Sequence, residues 1–332
     1  MTRPIGSISK SHHVEVMAIS ESPQIGERTI VQKGQALKRA MQEFVRRASI
    51  EVSVYDESCF SALADILYPG TSVYIAHTPN VMLSDIARSA LKLQRLGLHA
   101  SPHLAARRIG SREALTAGLR QLSEAGVDQA LLIAGDLARP AGPFSSTLDI
   151  IDAGVLQDSS LRCLAVAGHP EGHGKVSDEA LLAALRYKQA SAAKTGLQMH
   201  VVTQFAFDAV AITTWSDRSS RAGIHLPVHV GVAGPTPIPK LIKYAITCGV
   251  GASLASVMKN MRIARATASP DELLVRLLHS FAARSSCHIV QPHFYAFGGA
   301  VATATWIRHV AEGNFEINDE TDRFEMNIKE ER

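Results

Sequence analysis

The stretch VVTQFAFD, residues 201–208, has the composition of a buried strand that ends in side chains suited to a ligand. His200-Val201-Val202-Thr203 is rich in β-branched residues, Gly196 precedes it and a helical pattern follows. A glutamine and two phenylalanines then stand where the strand would stop. QALLIAGD (129–136) is almost wholly apolar, as a parallel strand covered on both faces requires. In a barrel of alternating strands and helices the carboxyl ends of the strands hold the ligand. Gln204 is therefore placed to hydrogen-bond a ligand, and Phe205 or Phe207 to pack against its flat face.

Outward from these two strands the same alternation repeats. Strand patterns occur at 49–55, 72–77, 98–104, 129–136, 162–170, 199–204, 227–232 and 288–295. Helical patterns lie between and after them, at 59–67, 81–96, 112–124, 147–156, 178–194, 210–222, 240–247, 254–263, 271–284 and 301–310. Eight strands alternating with helices predict an α/β fold, a (β/α)8 TIM barrel in one domain over 27–313. An open doubly wound sheet is the alternative, but no G-x-G-x-x-G follows an early strand. Before the barrel, 1–26 reads as a loose arm and 32–47 as an extra amphipathic helix whose apolar positions are Ala36, Leu37, Ala40, Met41, Phe44 and Val45. A helix of that kind either covers one end of the domain or lies on a membrane surface. The charged segment 314–332 is expected to fray as a tail.

Composition narrows the function classes. With 332 residues and 46% hydrophobic content the chain can bury a large core. A net charge of +3 and 5% aromatic residues give neither the electrostatic nor the stacking basis for nucleic-acid binding. Cys59, Cys163, Cys248 and Cys287 form no CxxC pair and read as reduced thiols, which fits a cytoplasmic location. No apolar run reaches membrane-spanning length, and the first residues lack the apolar core of a signal peptide.

The predicted strand ends carry Glu51, His77, His103, Asp136, His169, Glu171, His173, Gln204, Phe207, Gln291 and His293. Histidines with an aspartate suggest a metal-dependent hydrolase, with His169 and His173 as the nearest pair. That spacing is neither H-x-H on a strand nor H-E-x-x-H on a helix, so no metal site is assigned. The other possibility is a large polar organic ligand held by Gln, Asp and His, with Glu51 as proton donor.

Five segments, SPHLA (101–105), IAGDL (133–137), VAGHPEGH (166–173), TQFAFD (203–208) and HVGVAGPTPIPKLIKYA (229–245), together resemble the methylenetetrahydrofolate reductases. That family shows P-H-L after its third strand, R-G-D-L after its fourth, Y-P-E-x-H after its fifth and T-Q-F-F-F-D after its sixth. Order and spacing agree across 49–297. The family fold is a (β/α)8 barrel.

The resemblance implies an oxidoreductase of one-carbon metabolism that interconverts 5,10-methylenetetrahydrofolate and 5-methyltetrahydrofolate by hydride transfer with NADH or NADPH. Opening the five-membered ring requires a proton on the departing nitrogen, and the family's acid is a Glu in S-F-E-F. Ser49-Ile50-Glu51-Val52 matches it, and burial at a strand end can raise a glutamate pKa enough for the task. By the same match Asp136 joins Glu51 in the catalytic pair and shares the pterin ring with Gln204, whose amide complements its donors and acceptors. Phe207 and Ile238 complete the substrate set. The positions matching the flavin (FAD) site are His103, Gly135, His169, His173 and Lys188. Departures from the family pattern are Ala134 for the arginine of R-G-D, Ala76-His77 for a strand-two threonine, His169 for an aromatic residue and Ile238 for a phenylalanine. Each removes a flavin or folate contact, so direct transfer from nicotinamide to folate stays open. A folate-binding protein without reductase activity also stays open. Expected partners are tetrahydrofolate derivatives, with no nucleic acid and no membrane; a homo-oligomer is left open.

Overall fold

In the computed structural model, residues 23–248, 250, 267–282, 288–318 and 321–326 are described. The chain divides into two compact units, residues 1–36 and 37–332. The described part of the first is the beginning of helix α1 (Pro23–Arg46), which starts with proline, the residue whose fixed φ suits a first helical turn. The remainder of α1 belongs to the second unit, and there Met41, Phe44 and Val45 are buried and Leu37 packs beside them. That apolar stripe is therefore a core face.

Eight parallel strands follow: β1 (Ser49–Ser53), β2 (Ser72–Ala76), β3 (His99–Ala105), β4 (Gln129–Ile133), β5 (Cys163–Gly168), β6 (Gln198–Thr203), β7 (Val228–Ala233) and β8 (Ile289–Tyr295). They close into a barrel in sequence order, with β1 pairing both β2 and β8. Closure places Ser49 opposite His293 and Glu51 opposite Tyr295. Around the barrel run α2 (Phe60–Ile66), α3 (Leu83–Arg95), α4 (Arg112–Glu124), α5 (Thr147–Asp152), α6 (Asp178–Thr195), α7 (Ala209–Arg221), α8 (Ile238–Thr247), α9 (Asp271–Ala282) and α10 (Ala300–Ala311). The expected TIM barrel is the observed fold. The helix expected at 254–263 lies outside the described residues.

Local chemistry sets the helix starts. The hydroxyls of Ser111 and Ser177 accept from the backbone N–H of Ala114 and Ala180, and the carboxylate of Asp208 accepts from Val210. Alternation along each strand then sorts side chains between two environments. The outward set, including Ile50, Val52, Val73, Ile75, Leu104, Leu132, Val166, Val201, Val230 and Phe294, is buried against the helices in one continuous core. The inward set is different, and it forms the site described below.

The segment expected to fray is partly ordered. Phe315–Asn318 and Arg323–Met326 form an antiparallel hairpin, β9 and β10. Phe315 is fully buried against Phe324, ring centroids 4.4 Å apart, and Phe324 stacks on Trp306 of α10. The backbone N–H of Phe324 donates to Asp271 at 3.0 Å, tying the hairpin to the start of α9. Its charged residues conceal two aromatic anchors, and burying such rings contributes about 1.5–3 kcal/mol each.

Candidate functional site

TIM-barrel interiors are ordinarily filled by Val, Ile and Leu. In this chain each of the eight strands contributes a polar or ionisable side chain to the interior. Leu131, Ile133, Ala165 and Val202 form an apolar cluster with the Tyr74 ring. At the middle of the barrel, Tyr74 Oη lies 2.9 Å from His200 Nε2 and His200 Nδ1 lies 3.3 Å from Cys163 Sγ. Gln129 Nε2 donates to both Tyr74 Oη and Ser101 Oγ. His229 stacks on His200 at 4.0 Å. Burial holds the His200 imidazole down at about 4, with His293 adding to the effect. Both rings near the barrel axis are therefore neutral at physiological pH; burial and the adjacent His200 push His229 further, to about 2.

Glu51 stands at the carboxyl half of β1, its side chain 20% exposed, between two imidazoles. His103 Nε2 approaches its Oε2 to 3.4 Å and His293 Nε2 to 3.7 Å. Both nitrogens are buried without a hydrogen-bond partner. Burial alone would raise the Glu51 pKa, as the sequence suggested. The adjacent His103 and His293 rings outweigh it and bring the carboxyl below its ordinary value. Burial meanwhile lowers His103 despite the carboxylate beside it. Near neutral pH Glu51 is thus a carboxylate, not the free-standing acid that burial alone would produce.

The remaining predicted residues form three groups. His169 and His173 meet edge to face, ring centroids 5.1 Å apart, at the end of β5. Burial, His173 and Lys188 bring His169 down to about 4. Lys188, on α6, is 7% exposed, and among the described residues no hydrogen bond or ion pair engages its ammonium. Burial lowers its pKa to about 8. A largely buried lysine beside His169, its ammonium without a partner among the described residues, is suited to an anionic group such as a dinucleotide phosphate, so this part of the chain fits the flavin that the resemblance implies. Among the described residues no set of three or more His, Cys, Asp or Glu is arranged to hold a metal ion, and His169 and His173 gain no third donor.

The second group is Gly135 and Asp136. Gly135 has φ +85°, and a Cβ there would meet Ala105 Cβ at 3.3 Å, so a side chain would be strained. Asp136 is 73% exposed and forms an ion pair with Arg108, which itself is 9% exposed. Arg108 reaches it from the turn that follows β3. Arg107 is spent on backbone carbonyls, those of Ser145 and Leu137. Among the described residues no hydrogen bond or ion pair joins Asp136 to Glu51 or Gln204.

The third group follows β6. Gln204 Oε1 accepts from the backbone N–H of Phe205 at 3.1 Å, leaving its Nε2 as the group turned to other partners. Phe205 is 1% exposed and belongs to an aromatic cluster with Phe207, Tyr295 and Phe297. Of the two phenylalanines, the half-buried Phe207 is the one with a face available. Its N–H donates to Glu171 at 3.4 Å. Ile238 opens α8 and is half-buried. His77, where the resemblance leads one to expect a threonine, brackets the chain. Its Nδ1 accepts from Ala105 N and its Nε2 donates to Val81 O, which leaves no nitrogen for a ligand.

Sequence reasoning assigned no role to Tyr74, Ser101, Gln129, Cys163, His200, His229 or Tyr295, and named His293 only as a strand-end residue. A period-two run of polar residues (49/51, 72/74, 99/101/103, 291/293/295) is the signal that marks them.

Three solved structures align with the chain at low similarity. A Burkholderia cenocepacia protein assigned as a lyase or mutase is 15% identical, covering 83% of this chain and 88% of its own, with a TM-score of 0.45. A second from that organism, assigned as a phosphonomutase, is 15% identical over 69% of this chain and 100% of its own, TM-score 0.42. Dihydropteroate synthase from Thermus thermophilus is 12% identical over 79% of this chain and 92% of its own, TM-score 0.42. At the level of sequence, a family model described as methylenetetrahydrofolate reductase matches residues 74–306. That match spans β2 through the first half of α10, and on it the chain belongs to the methylenetetrahydrofolate reductase family.

Proposed function

We propose that this protein interconverts 5,10-methylenetetrahydrofolate and 5-methyltetrahydrofolate in the cytoplasm, drawing hydride from NADH or NADPH by way of flavin adenine dinucleotide. Family membership supports a folate-related one-carbon oxidoreductase. The observation that carries the finer reading is Glu51: an inward carboxylate at the ligand end of the barrel, flanked at 3.4 and 3.7 Å by imidazole nitrogens that lack other partners.

When bound, the flavin supplies the two-electron carrier between nicotinamide and folate. Lys188 meets its phosphate charge, Gly135 lets the backbone approach, and His103, His169 and His173 line the same end of the barrel. The Gln204 Nε2 and the Asp136 carboxylate hold the pterin ring, Phe207 packs against it, and Ile238 covers it with an aliphatic side chain where relatives use an aromatic one. Glu51 governs the proton that must reach the departing ring nitrogen before the one-carbon unit can accept hydride.

The test is the visible spectrum of the purified protein with and without added flavin, followed by anaerobic NAD(P)H oxidation with methylenetetrahydrofolate and identification of 5-methyltetrahydrofolate. The expected result is a bound-flavin spectrum and faster turnover on adding flavin. No methyl product with either nicotinamide, with or without flavin, overturns the reading. Full turnover by flavin-free protein with no gain on adding flavin decides for direct nicotinamide-to-folate transfer.

A further inference from the structure

In the proposed reaction the product's methyl group stays on N5 of the folate, so the nitrogen that departs is N10. N10 bears the aminobenzoyl ring and, beyond it, the glutamate. With that nitrogen at Glu51, the aromatic arm begins beside Glu51 and must leave the barrel along one wall. The residue paired with Glu51 across the seam is Tyr295. From Tyr295 a run of near-parallel rings leads outward. Phe297 lies 6.0 Å from Tyr295 at 19°, and Tyr244 of α8 lies 4.5 Å from Phe297 at 23°. Tyr244 is 36% exposed, so the ladder passes from the seam to the surface.

The backbone in the middle of this ladder is strained. Phe297 has φ +47°, a left-handed conformation that a bulky side chain rarely adopts. Strain of that kind gathers where a ligand site fixes a side chain in one place. It holds the half-buried Phe297 ring at the end of β8, edge to face with Phe205 at 5.0 Å. The next residue, Gly298, is also left-handed at φ +75°, and a Cβ there would stand 2.9 Å from Lys240 Nζ. The Lys240 ammonium therefore rests against bare backbone beside the ladder. It is exposed, and among the described residues no hydrogen bond or ion pair engages it. The first turn of α8 holds no acidic residue, and a cation there opposes the helix dipole. Helix stability is thus not what places the lysine.

We propose that Phe297 and Lys240 form the subsite for the benzoylglutamate arm of the substrate. The benzoyl ring lies along the open side of Phe297, and Lys240 donates to a glutamate carboxylate one amide further out. The inference rests on the reductase reading, in which it names the part of the substrate that these residues select. Aromatic rings gain from offset or edge-on contact beyond the area they bury. A compact ammonium on a flexible stem suits a carboxylate whose orientation is not fixed in advance. Ile238 opens α8 two residues before Lys240 and offers no ring, so Phe297 supplies the aromatic surface on this side of the mouth. Asp136 and Gln204 hold the pterin in that reading, which separates recognition of the reacting ring from selection of the charged arm.

The experiment is anaerobic calorimetry of the full chain, with flavin adenine dinucleotide at one concentration throughout. The ligands are 5-methyltetrahydrofolate, its glutamate diamide and 6-methyltetrahydropterin, which carry the arm with its charge, the arm without charge, and no arm. The native protein is expected to bind them in that order of falling affinity. Lys240→Met should weaken 5-methyltetrahydrofolate by about three- to tenfold and leave the diamide and the pterin unchanged. Phe297→Asn, whose side chain tolerates a left-handed backbone, should weaken both armed ligands by about tenfold and spare the pterin. Added salt should narrow the native gap between the folate and its diamide. An unchanged folate affinity in Lys240→Met, or equal native affinity for the folate and its diamide, overturns the proposal. Should Phe297→Asn not fold, the Lys240→Met series decides alone. Equal binding of all three ligands overturns the arm subsite and leaves the folate reading standing, whereas binding of none overturns the reductase reading and the subsite with it.

Discussion

Replacing Lys188 by Met tests the most exposed consequence of the site. The residue is 7% exposed, its ammonium has no partner among the described residues, and burial brings its pKa from 10.5 to about 8. At about 1.4 kcal/mol per unit, keeping it charged at neutral pH costs the folded state on the order of 3 kcal/mol. Methionine keeps the length and the apolar stem, and imperfect repacking should offset only about 1 kcal/mol of the gain. Lys188→Met is therefore expected to be more stable at pH 7 by about 1–3 kcal/mol, read as a higher urea midpoint at unchanged slope. The sign is checked by pH. A lysine whose folded pKa is depressed binds fewer protons folded than unfolded between about 8 and 10.5, so native stability rises across that window while the variant's does not. The gap between the two should close by about pH 10.5. The same variant should lose the anion: a missing charge-assisted hydrogen bond of about 1.5–3 kcal/mol weakens flavin binding by one to two decades. A variant that is less stable at pH 7, or a stability gap that persists at high pH, refutes the idea of an unpartnered ammonium waiting for an anion.

Glu51→Gln should retain folate binding within a few-fold yet slow the folate half-reaction by about 10²–10⁴; stopped-flow turnover near the native rate removes Glu51 from the mechanism. Because the Glu51 pKa is lowered on folding, its contribution to stability is present above the ordinary carboxyl range and lost as pH falls through the lower folded value, so acid melts of Glu51→Gln should lack that segment. Asp136→Ala and Gln204→Ala should each weaken folate binding by about 1–3 kcal/mol, and calorimetry showing both unchanged places the pterin elsewhere. Phe315→Ala, which empties the anchor of the carboxyl-terminal hairpin, should cost about 3–5 kcal/mol of stability while leaving flavin affinity alone; a loss below 1 kcal/mol would mean the hairpin contributes little.

Much of the architecture was legible because it is periodic and local. The alternation of strand and helix patterns gave the barrel, and α4 was read to its terminal residues, Arg112 and Glu124, because Ser111 caps one end and Gly126 follows the other. The short α2 was blurred by the 3-10 turn at Val54–Cys59, which no hydrophobic period announces. The hairpin after α10 was missed because Phe315 and Phe324 are two rings among charges, and only their contact with Trp306 reveals a core.

What the amino-acid sequence determined by itself is the set of strand and helix segments, the order that closes them, and the family to which the motifs belong. All of these rest on interactions between near neighbours or on patterns within one element. Only the tertiary structure decided which residues share the barrel interior and in what charge state. Ser49 meets His293 across 244 residues and Tyr74 meets His200 across 126, pairings set by the register of a closed sheet. The same closure removes Glu51 from water while surrounding it with imidazoles, so that its pKa falls where burial in an apolar setting would have raised it. It likewise brings Arg108, after β3, to Asp136, after β4, a pairing the linear motif could not show. Charge state depends on distance and desolvation together, and neither is defined until the barrel has closed.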